Sequence, residues 1–368
     1  MDFNKKIIRN LFFYLRSFLK AMIAMKKSRQ QSLVKYLRLK ISFALVCYAL
    51  TLHAQTYKNL IFEGAGVRGI AFAGVVRELE NKQLLSQVEK VGGTSAGAIA
   101  ALTVALGYHS TEIESIIYDT KVQRFKDGNF SVIGGIKRMK ENFGWYRHQD
   151  FLQWLNEIIR TKTGNGNITF RELHVRNFRD LYVTGTSLNH QKLIIFSHET
   201  YPDMKVKDAV CISMSIPLFF VSVCINEKGE IVNRQKATGY YDIMADGGFT
   251  GNFPIALFDS TVTTTAETVR RFNPYTLGFR IDSPEQIDYD KTHRGLAPVD
   301  ILRFKDYLSA FYTFTIENPN RASLTTSDWE RTVSISCGNI GPKIRKMSVE
   351  EKNMLIANGQ HAVEAFLQ

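Results

Sequence analysis

The sequence predicts an α/β domain with a partly parallel sheet, because apolar strands alternate with helical segments near its start. Residues 58–62 read as a short buried strand, and Ile70–Asn81 follows with apolar residues at helical spacing. A second strand at Val88–Val91 leads into a small, apolar helix at 96–106. Two strand–helix units within about 50 residues are typical of α/β folds with parallel neighbouring strands.

The later elements continue this alternation. The stretch 109–163 is mostly helical in pattern, and its aromatic residues around 143–154 fit core positions, with a lid or membrane-facing surface as the alternative. Further elements are expected in this order: strands at Leu181–Ser187 and Lys192–Ser197, a helix at 205–214, a strand ending at Ala245, a strand at Thr276–Ile281, a helix near 297–315, a strand at Thr332–Cys337 and a helix from Ser348.

The net charge of +12 is concentrated at the start of the chain. Residues 1–54 hold eleven Lys and Arg but one acid, so the remaining residues carry a net charge of only +2. A nucleic-acid-binding protein needs its positive excess on a folded surface. The charge distribution therefore argues against a nucleic-acid partner.

Residues 1–54 have the layout of a signal peptide. A basic stretch precedes the apolar run Ile41–Leu52, and Ala54 is a plausible cleavage position. Twelve apolar residues suit a signal peptide better than a membrane span, which needs about 20. We expect an exported protein, with an uncleaved membrane anchor as the alternative.

The cysteines do not indicate a disulfide framework or a metal site. Beyond residue 54 the chain contains Cys211, Cys224 and Cys337, with no C-x-x-C pair and no His/Cys cluster. No metal and no cofactor are expected.

A serine lies on the predicted turn between the second strand and its helix. The segment Gly93-Thr94-Ser95-Ala96-Gly97 matches G-x-S-x-G, in which a strained turn exposes the hydroxyl and the flanking glycines avoid backbone collisions. The positive end of the following helix favours negative charge that develops beside the serine. Ser95 is therefore a candidate nucleophile.

A glycine-rich loop, Gly64–Gly69, follows the first strand and allows two interpretations. It matches G-x-G-x-x-G, and Glu89 stands about 20 residues on, as in a dinucleotide site. Glu89, however, is followed at once by the serine turn, and Arg68 would protrude at the phosphate. Converging backbone amides can equally form an oxyanion hole, which we favour.

A third glycine-marked turn, Asp246-Gly247-Gly248, follows an apolar strand 151 residues after Ser95. A carboxylate that reaches a serine hydroxyl directly can act as its general base. The histidines after Asp246 are His293 and His361, and both fit surface or packing positions better than a catalytic triad. The sequence thus favours a Ser–Asp pair.

The three motifs together, in this order, resemble the patatin-like phospholipase family over about residues 57–258. The resemblance implies a three-layer α/β/α fold and hydrolysis of fatty acyl esters in phospholipids or related lipids at a membrane surface. It also implies Ser95 as nucleophile and Asp246 as base. Ala65 and Phe253 depart from the family's usual residues. The loop amides that it implies for the oxyanion hole are those of Gly64, Gly66, Val67, Arg68 and Gly69; the motif glycines are Gly93, Gly97, Gly247 and Gly248.

Residues 259–368 are predicted as a mixed α/β extension packed on the same domain. Two other functions stay open from the sequence: a nucleotide-binding domain that uses Gly64–Gly69, and a catalytically inactive, membrane-associated scaffold. Acyl length, head group and oligomeric state are not encoded in any recognisable pattern.

Overall fold

The computed structural model describes residues 56–128, 132–263 and 267–368, together with Arg16 and Lys40. The predicted leader, 1–54, lies outside these ranges apart from those two residues. Among the helices of the described ranges, none is both long enough and apolar enough to cross a membrane.

Thirteen strands lie within the described ranges. They are β1 (Asn59–Phe62), β2 (Lys90–Gly93), β3 (Gly144–Tyr146), β4 (Asp180–Ser187), β5 (Lys192–Phe196), β6 (Leu218–Phe220), β7 (Val223–Ile225), β8 (Ile231–Val232), β9 (Asp242–Asp246), β10 (Ser260–Thr263), β11 (Thr268–Arg271), β12 (Thr276–Asp282) and β13 (Thr332–Ser336). The central sheet has the order β13–β12–β1–β2–β4–β9–β7–β8, and β5 also pairs with β4.

Helices flank this sheet. They are α1 (Ala71–Asn81), α2 (Ala96–Ala105), α3 (Ser110–Asp119), α4 (Val132–Asn142), α5 (Gln149–Thr163), α6 (Phe170–Val175), α7 (Val206–Ser213), α8 (Gly248–Gly251), α9 (Pro284–Asp290), α10 (Phe304–Ala322), α11 (Thr326–Trp329) and α12 (Val349–Phe366). The predicted α/β fold, a sheet between helices, is therefore confirmed.

The neighbouring strands β13, β12, β1, β2 and β4 run parallel, whereas β5, β9, β7 and β8 join by antiparallel pairs. All four residues of β1 are buried, as are all seven of β12. Continuous apolar burial of this kind is typical of parallel strands covered on both faces. This explains why the sequence of β1 shows no alternation.

The register of β4 brings two distant turns to one level of the sheet. Val183 pairs with Gly93 at the end of β2, and Gly185, two residues further on, pairs with Asp246 at the end of β9. Ser95 stands two residues beyond Gly93. The antiparallel return of β9 therefore ends beside the turn that carries the serine.

Two elements differ from their predicted bounds by more than one residue at an end. The second strand begins at Lys90 rather than at Val88, because pairing with β1 starts at Asn59 and Lys90. The helix predicted near 297–315 occupies Phe304–Ala322 and continues past Pro319. Its last turn is buried through Asn320 and Arg321, so tertiary contacts extend it beyond the apolar pattern.

Residues 259–368 complete the central sheet. Strand β12 pairs with β1 and β13 pairs with β12, so this segment supplies two parallel strands. Helix α12 crosses α1 at very short range: a Cβ at Gly74 would lie 1.8 Å from the Ile356 carbonyl oxygen, and one at Gly359 2.0 Å from that of Ala71. Only glycine permits this approach of two helix backbones.

We expect Gly359→Ala to lower the free energy of unfolding by about 1–3 kcal/mol, because the added methyl meets a backbone oxygen and outweighs the gain in helix propensity. Urea denaturation measures the change. Gly341→Ala is the control, since no atom lies within 4 Å of its added Cβ. Equal or greater stability of the Gly359 variant would contradict the close helix contact.

Candidate active site

The turn that carries Ser95 joins β2 to α2. Ser95 has φ 54° and ψ −122°, a strained backbone conformation for a residue with a side chain. A Cβ at Gly93 would lie 2.3 Å from the Gly97 carbonyl oxygen, and one at Gly97 would lie 2.2 Å from the Phe62 carbonyl oxygen. Glycine at both positions permits the sharp turn, which holds the Ser95 side chain at the amino end of α2.

Asp246 is the last residue of β9 and is buried. Its amide donates to the Ser215 carbonyl oxygen at 2.9 Å, and its Oδ1 accepts from the Gly248 amide at 2.7 Å. Burial raises the pKa of Asp246 to about 7, although hydrogen bonds with the Gly248 amide and the Ser95 side chain favour the charged form. The Ser95 hydroxyl is therefore one of the groups that lower the pKa of Asp246 against the effect of burial.

The segment after α7 supports both residues. The Ser95 amide donates to Ser213 Oγ at 2.8 Å, and the Ser95 hydroxyl lies 3.3 Å from Met214 Sδ, a weak acceptor. Ser215 holds the Asp246 amide, as described above. The sequence gives no signal for these contacts, because Ser213 and Met214 lie more than 100 positions from Ser95, and Ser215 lies outside the motif of Asp246.

Most of the amides predicted for the oxyanion hole already have acceptors. The Gly64 amide donates to the Asn252 carbonyl oxygen at 3.0 Å, the Val67 amide to that of Pro342 at 3.2 Å, and the Arg68 amide to that of Ala65 at 3.2 Å. Pro342 lies far along the chain, so no local pattern identifies this contact. The prediction that the Gly64, Val67 and Arg68 amides are free to bind an oxyanion is therefore corrected.

Other parts of the loop have different roles. Within the described ranges, the amides of Ala65 and Gly66 donate no hydrogen bond to the protein. Gly66 has φ +56°, and a Cβ there would lie 2.1 Å from the Pro342 carbonyl oxygen. A Cβ at Gly69 would lie 2.8 Å from that of Ala96, so Gly69 lets the loop pack against the start of α2.

Asn252, just after the Asp246 turn, connects this loop to α10. Its side-chain amide donates to the Gly64 carbonyl oxygen at 3.1 Å and to Glu317 Oε1 at 2.9 Å. Its backbone amide donates to Asn320 Oδ1 at 2.8 Å. Glu317 and Asn320 therefore position both loops, although they lie outside the predicted motifs.

A buried ion network lies beneath the glycine loop. The Arg280 side chain is fully buried and bonds Glu63 at 2.8 Å and Glu317 at 3.2 Å, while Asp282 lies 3.5 Å from its Nε. Arg321 pairs with Asp282. Glu63 is thus committed to a structural ion pair at the end of β1.

Ser95 and Asp246 line one cavity of about 1740 Å³. Most of its wall is apolar, including Ile99, Ile113, Phe125, Phe151, Trp154, Met214, Ile216 and Phe219. Phe151 is buried and packs against Phe125. Of the aromatic stretch around 143–154, Phe151 and Trp154 therefore contribute to this wall, whereas Phe143 is exposed.

The placement of Glu89 does not fit a dinucleotide site. Glu89 is exposed and its carboxylate bonds Lys58 Nζ at 2.7 Å, where β1 and β2 begin. The loop Gly64–Gly69 follows the other end of β1. Glu89 therefore lies at the amino ends of these strands and the loop at their carboxyl ends. An acid placed there cannot reach a ribose whose pyrophosphate is bound at the loop.

The described histidines lie away from the cavity wall. His293 and His361 are exposed, and His148, whose ring lies 3.1 Å from Ser215 Oγ, has its pKa lowered to about 4 by burial. One group, His174, Asp180 and His198, has possible metal-ligand atoms within 4.8 Å of one another, where β4 begins. The two rings are parallel, so their in-plane lone pairs do not converge on one ion.

Comparisons with known proteins agree with this geometry. A family model described as "Patatin-like phospholipase" matches residues 60–259. An uncharacterized protein of Acanthamoeba polyphaga mimivirus is 32% identical over 204 residues, 55% of this chain and 61% of that protein. A "Probable lipid hydrolase" of Invertebrate iridescent virus 6 is 26% identical over 210 residues, 56% of this chain and 65% of that protein. The chain thus spans less than two thirds of these two relatives.

The crystal structure of VipD from Legionella pneumophila is similar in fold, with a TM-score of 0.51 and 14% sequence identity. The alignment covers 84% of this chain and 66% of that one. It therefore extends beyond the segment that the family model matches.

We expect Arg280→Met to lower the free energy of unfolding by about 3–5 kcal/mol, because it leaves buried carboxylates without their cation. The deficit should shrink as the pH falls, since losing the arginine raises the pKa of Asp282 and Glu317, whose charged forms it stabilises, and protonation then removes the buried charge. Chemical denaturation at pH 5 and pH 8 measures both effects.

The matched control is Arg171→Met, which breaks the exposed pair with Asp203 at 2.9 Å. We expect it to change the free energy of unfolding little, because both side chains are exposed and solvent screens their attraction. An Arg280 variant as stable as this control at pH 8 would contradict the role of the buried network.

Proposed function

Because the chain belongs to the patatin-like phospholipase family, we propose that it hydrolyses fatty acyl esters of lipids, with Ser95 as nucleophile and Asp246 as base. One observation carries the proposal: a serine on a strained turn interacts with a buried aspartate, whose pKa burial raises to about 7, in one apolar cavity. The name of the iridescent virus relative, a probable lipid hydrolase, agrees with a lipid substrate.

In the proposed reaction, Ser95 Oγ attacks the ester carbonyl carbon while its proton moves to Asp246. The carbonyl electron pair moves to oxygen, then returns and expels the alcohol, which takes the proton from Asp246. Water attacks the acyl-enzyme in the same way and releases the fatty acid. A base with a pKa near 7 suits this role, because it can accept and return the proton at neutral pH.

For the oxyanion we propose the amides of Ala65 and Gly66 together with that of Ala96, the first residue of α2. None of these three amides has an acceptor among the described residues. Each such donor typically contributes about 3–4 kcal/mol to stabilising the transition state. The amino end of α2 adds the positive end of its dipole.

The cavity supports a substrate with a long apolar part. Its wall is mainly aliphatic and aromatic, and a volume of about 1740 Å³ exceeds what a small ester requires. Lipid or phospholipid acyl chains fit this chemistry. A membrane surface is accordingly the proposed site of action.

We also propose that residues 1–54 direct export, with a retained anchor as the alternative. The amino-terminal sequence of the protein isolated from its native host distinguishes the two. A chain that begins at residue 55 supports cleavage after Ala54, whereas residues upstream of 54 support the anchor.

We expect Ser95→Ala and Asp246→Asn each to lower kcat by roughly a thousandfold or more, because each removes one member of a single proton-transfer unit. The double variant should be no slower than either single variant. Hydrolysis of a p-nitrophenyl acyl ester measures the rates, and a fluorophosphonate should label the parent protein but not Ser95→Ala. Full activity of the Ser95 variant would exclude Ser95 as the nucleophile, whereas a parent protein without esterase activity would leave the inactive-scaffold alternative.

We expect kcat/KM to fall about tenfold per pH unit below pH 7 and to level off above it. The reason is that burial raises the pKa of Asp246 to about 7, and only its deprotonated form accepts the serine proton. The residual activity of Asp246→Asn should lack this inflection. A parent profile that is flat between pH 5 and pH 9 would argue against Asp246 as the base.

A further inference from the structure

Helix α10 has two halves with different surroundings. Its last turns hold the active-site loops: Asn320 and Glu317 bond Asn252, and Arg321 pairs with Asp282. Ile316 is buried and lies near Gly248. The helix is therefore fixed at its carboxyl end, directly above the site.

The other half and the segment before it expose large apolar side chains. Phe304 is 75% exposed, Tyr307 54% and Phe311 62%. The exposed residues of this type between 299 and 314 are Val299, Ile301, Leu302, Phe304, Tyr307, Leu308, Phe311 and Phe314. So large an apolar patch on a surface marks a site of interaction with another apolar body.

The aromatic side chains in the first half of α10 point away from the protein. Asp306, Ser309, Ala310 and Thr313, spaced three and four residues apart, line the cavity with polar or small side chains. Phe304, Tyr307 and Phe311 occupy the opposite face, which we call the aromatic face. A helix beside water normally has the reverse arrangement, with its apolar stripe toward the core.

This exposed surface continues into the cavity of Ser95. Val299, Leu308 and Phe314 are exposed, and they also line the cavity. These three apolar side chains therefore join the outer apolar surface to the cavity wall, beside the polar residues Asp300 and Asp306 that also line it. A lipid surface is the partner that both covers the aromatic face and supplies the cavity.

We infer that the aromatic face of α10 inserts into a lipid surface and sets the cavity mouth against it. This inference rests on the proposed function and adds the element that contacts the lipid. The formal charges of residues 299–314 cancel, because the sequence there contains two acids, Asp300 and Asp306, and two bases, Arg303 and Lys305. Apolar insertion, rather than attraction to anionic lipid, therefore carries the binding.

The test uses full-length Ser95→Ala protein and phosphatidylcholine vesicles, with binding measured by sedimentation at low and high salt. We expect Phe304→Gln/Phe311→Gln to weaken binding at least tenfold, or about 1.4 kcal/mol, at both salt concentrations. The matched control is Val175→Gln/Tyr275→Gln, which removes two exposed apolar residues that precede β4 and β12 in the chain and lie outside the aromatic face. Equal binding of the two double variants would overturn the inference.

A local probe separates α10 from any contribution of residues 1–54. An environment-sensitive fluorophore is attached to Phe311→Cys or Val175→Cys, with Cys47→Ser; Cys211, Cys224 and Cys337 are buried. With vesicles, emission should shift to the blue and be quenched by nitroxide lipids at position 311 but not at 175. A probe at 311 that stays in water on vesicle-bound protein would overturn the inference. So would a shift without vesicles that grows with protein concentration, which would indicate a second copy of the chain.

Activity separates this inference from the proposed function. With Ser95 restored, the Phe304/Phe311 variant should hydrolyse the soluble ester p-nitrophenyl butyrate at the parent rate but lose at least tenfold activity on vesicles. Failure of the parent protein to cleave any ester would exclude the proposed function, while the vesicle measurements would still decide the role of α10.

Discussion

The paired hydrogen bonds between Asn252 and Gly64 are the interaction on which the candidate site depends. The Gly64 amide donates to the Asn252 carbonyl oxygen, and the Asn252 side chain donates back to the Gly64 carbonyl oxygen. They join the turns after β1 and β9, two strands that are separated in the sheet by β2 and β4. These two hydrogen bonds form a bridge across the turn after β2. In that turn, Thr94 Oγ1 also donates to the Gly251 carbonyl oxygen at 2.8 Å. Three loops are thereby fixed around Ser95.

Two buried acids near this bridge have opposite surroundings. Glu63 faces Arg280 and accepts from the Ile281 amide, so a cation and a donor accompany it into the core. Asp246 has no cation among its bonded neighbours, and the groups that favour its charged form are the Gly248 amide and the Ser95 hydroxyl. Burial without a counter-charge favours the neutral carboxyl. Burial nevertheless raises the pKa of both acids, that of Glu63 to about 8 despite Arg280 and that of Asp246 to about 7. What separates them is position, because Asp246 lines the cavity together with Ser95 and Glu63 does not.

The sequence predicted what is encoded locally. Ser95 and Asp246 stand in short motifs whose glycines are needed for nearby backbone contacts, so pattern and position were enough to propose them as a catalytic pair. Arg280 pairs with Glu63, next to the glycine loop, and Pro342 accepts a hydrogen bond from Val67 within it, each from more than 200 residues away, and their own neighbours in the chain give no hint of it. The loop amides were misjudged for that reason. The end of α10 was missed because burial of Asn320 and Arg321 outweighs the propensity of Pro319 to end a helix.

The position of β12 beside β1 has a consequence for how the chain folds. Asn59 and Thr276, which pair at the start of these strands, are 217 residues apart. Until the later segment has left the ribosome, the apolar strand β1 is an open sheet edge, and such edges invite pairing with other chains. A fragment limited to the family-matched residues would keep that edge permanently. Contacts of this sequence separation also slow folding, so the nascent protein has an extended period in which chaperones are needed to prevent aggregation.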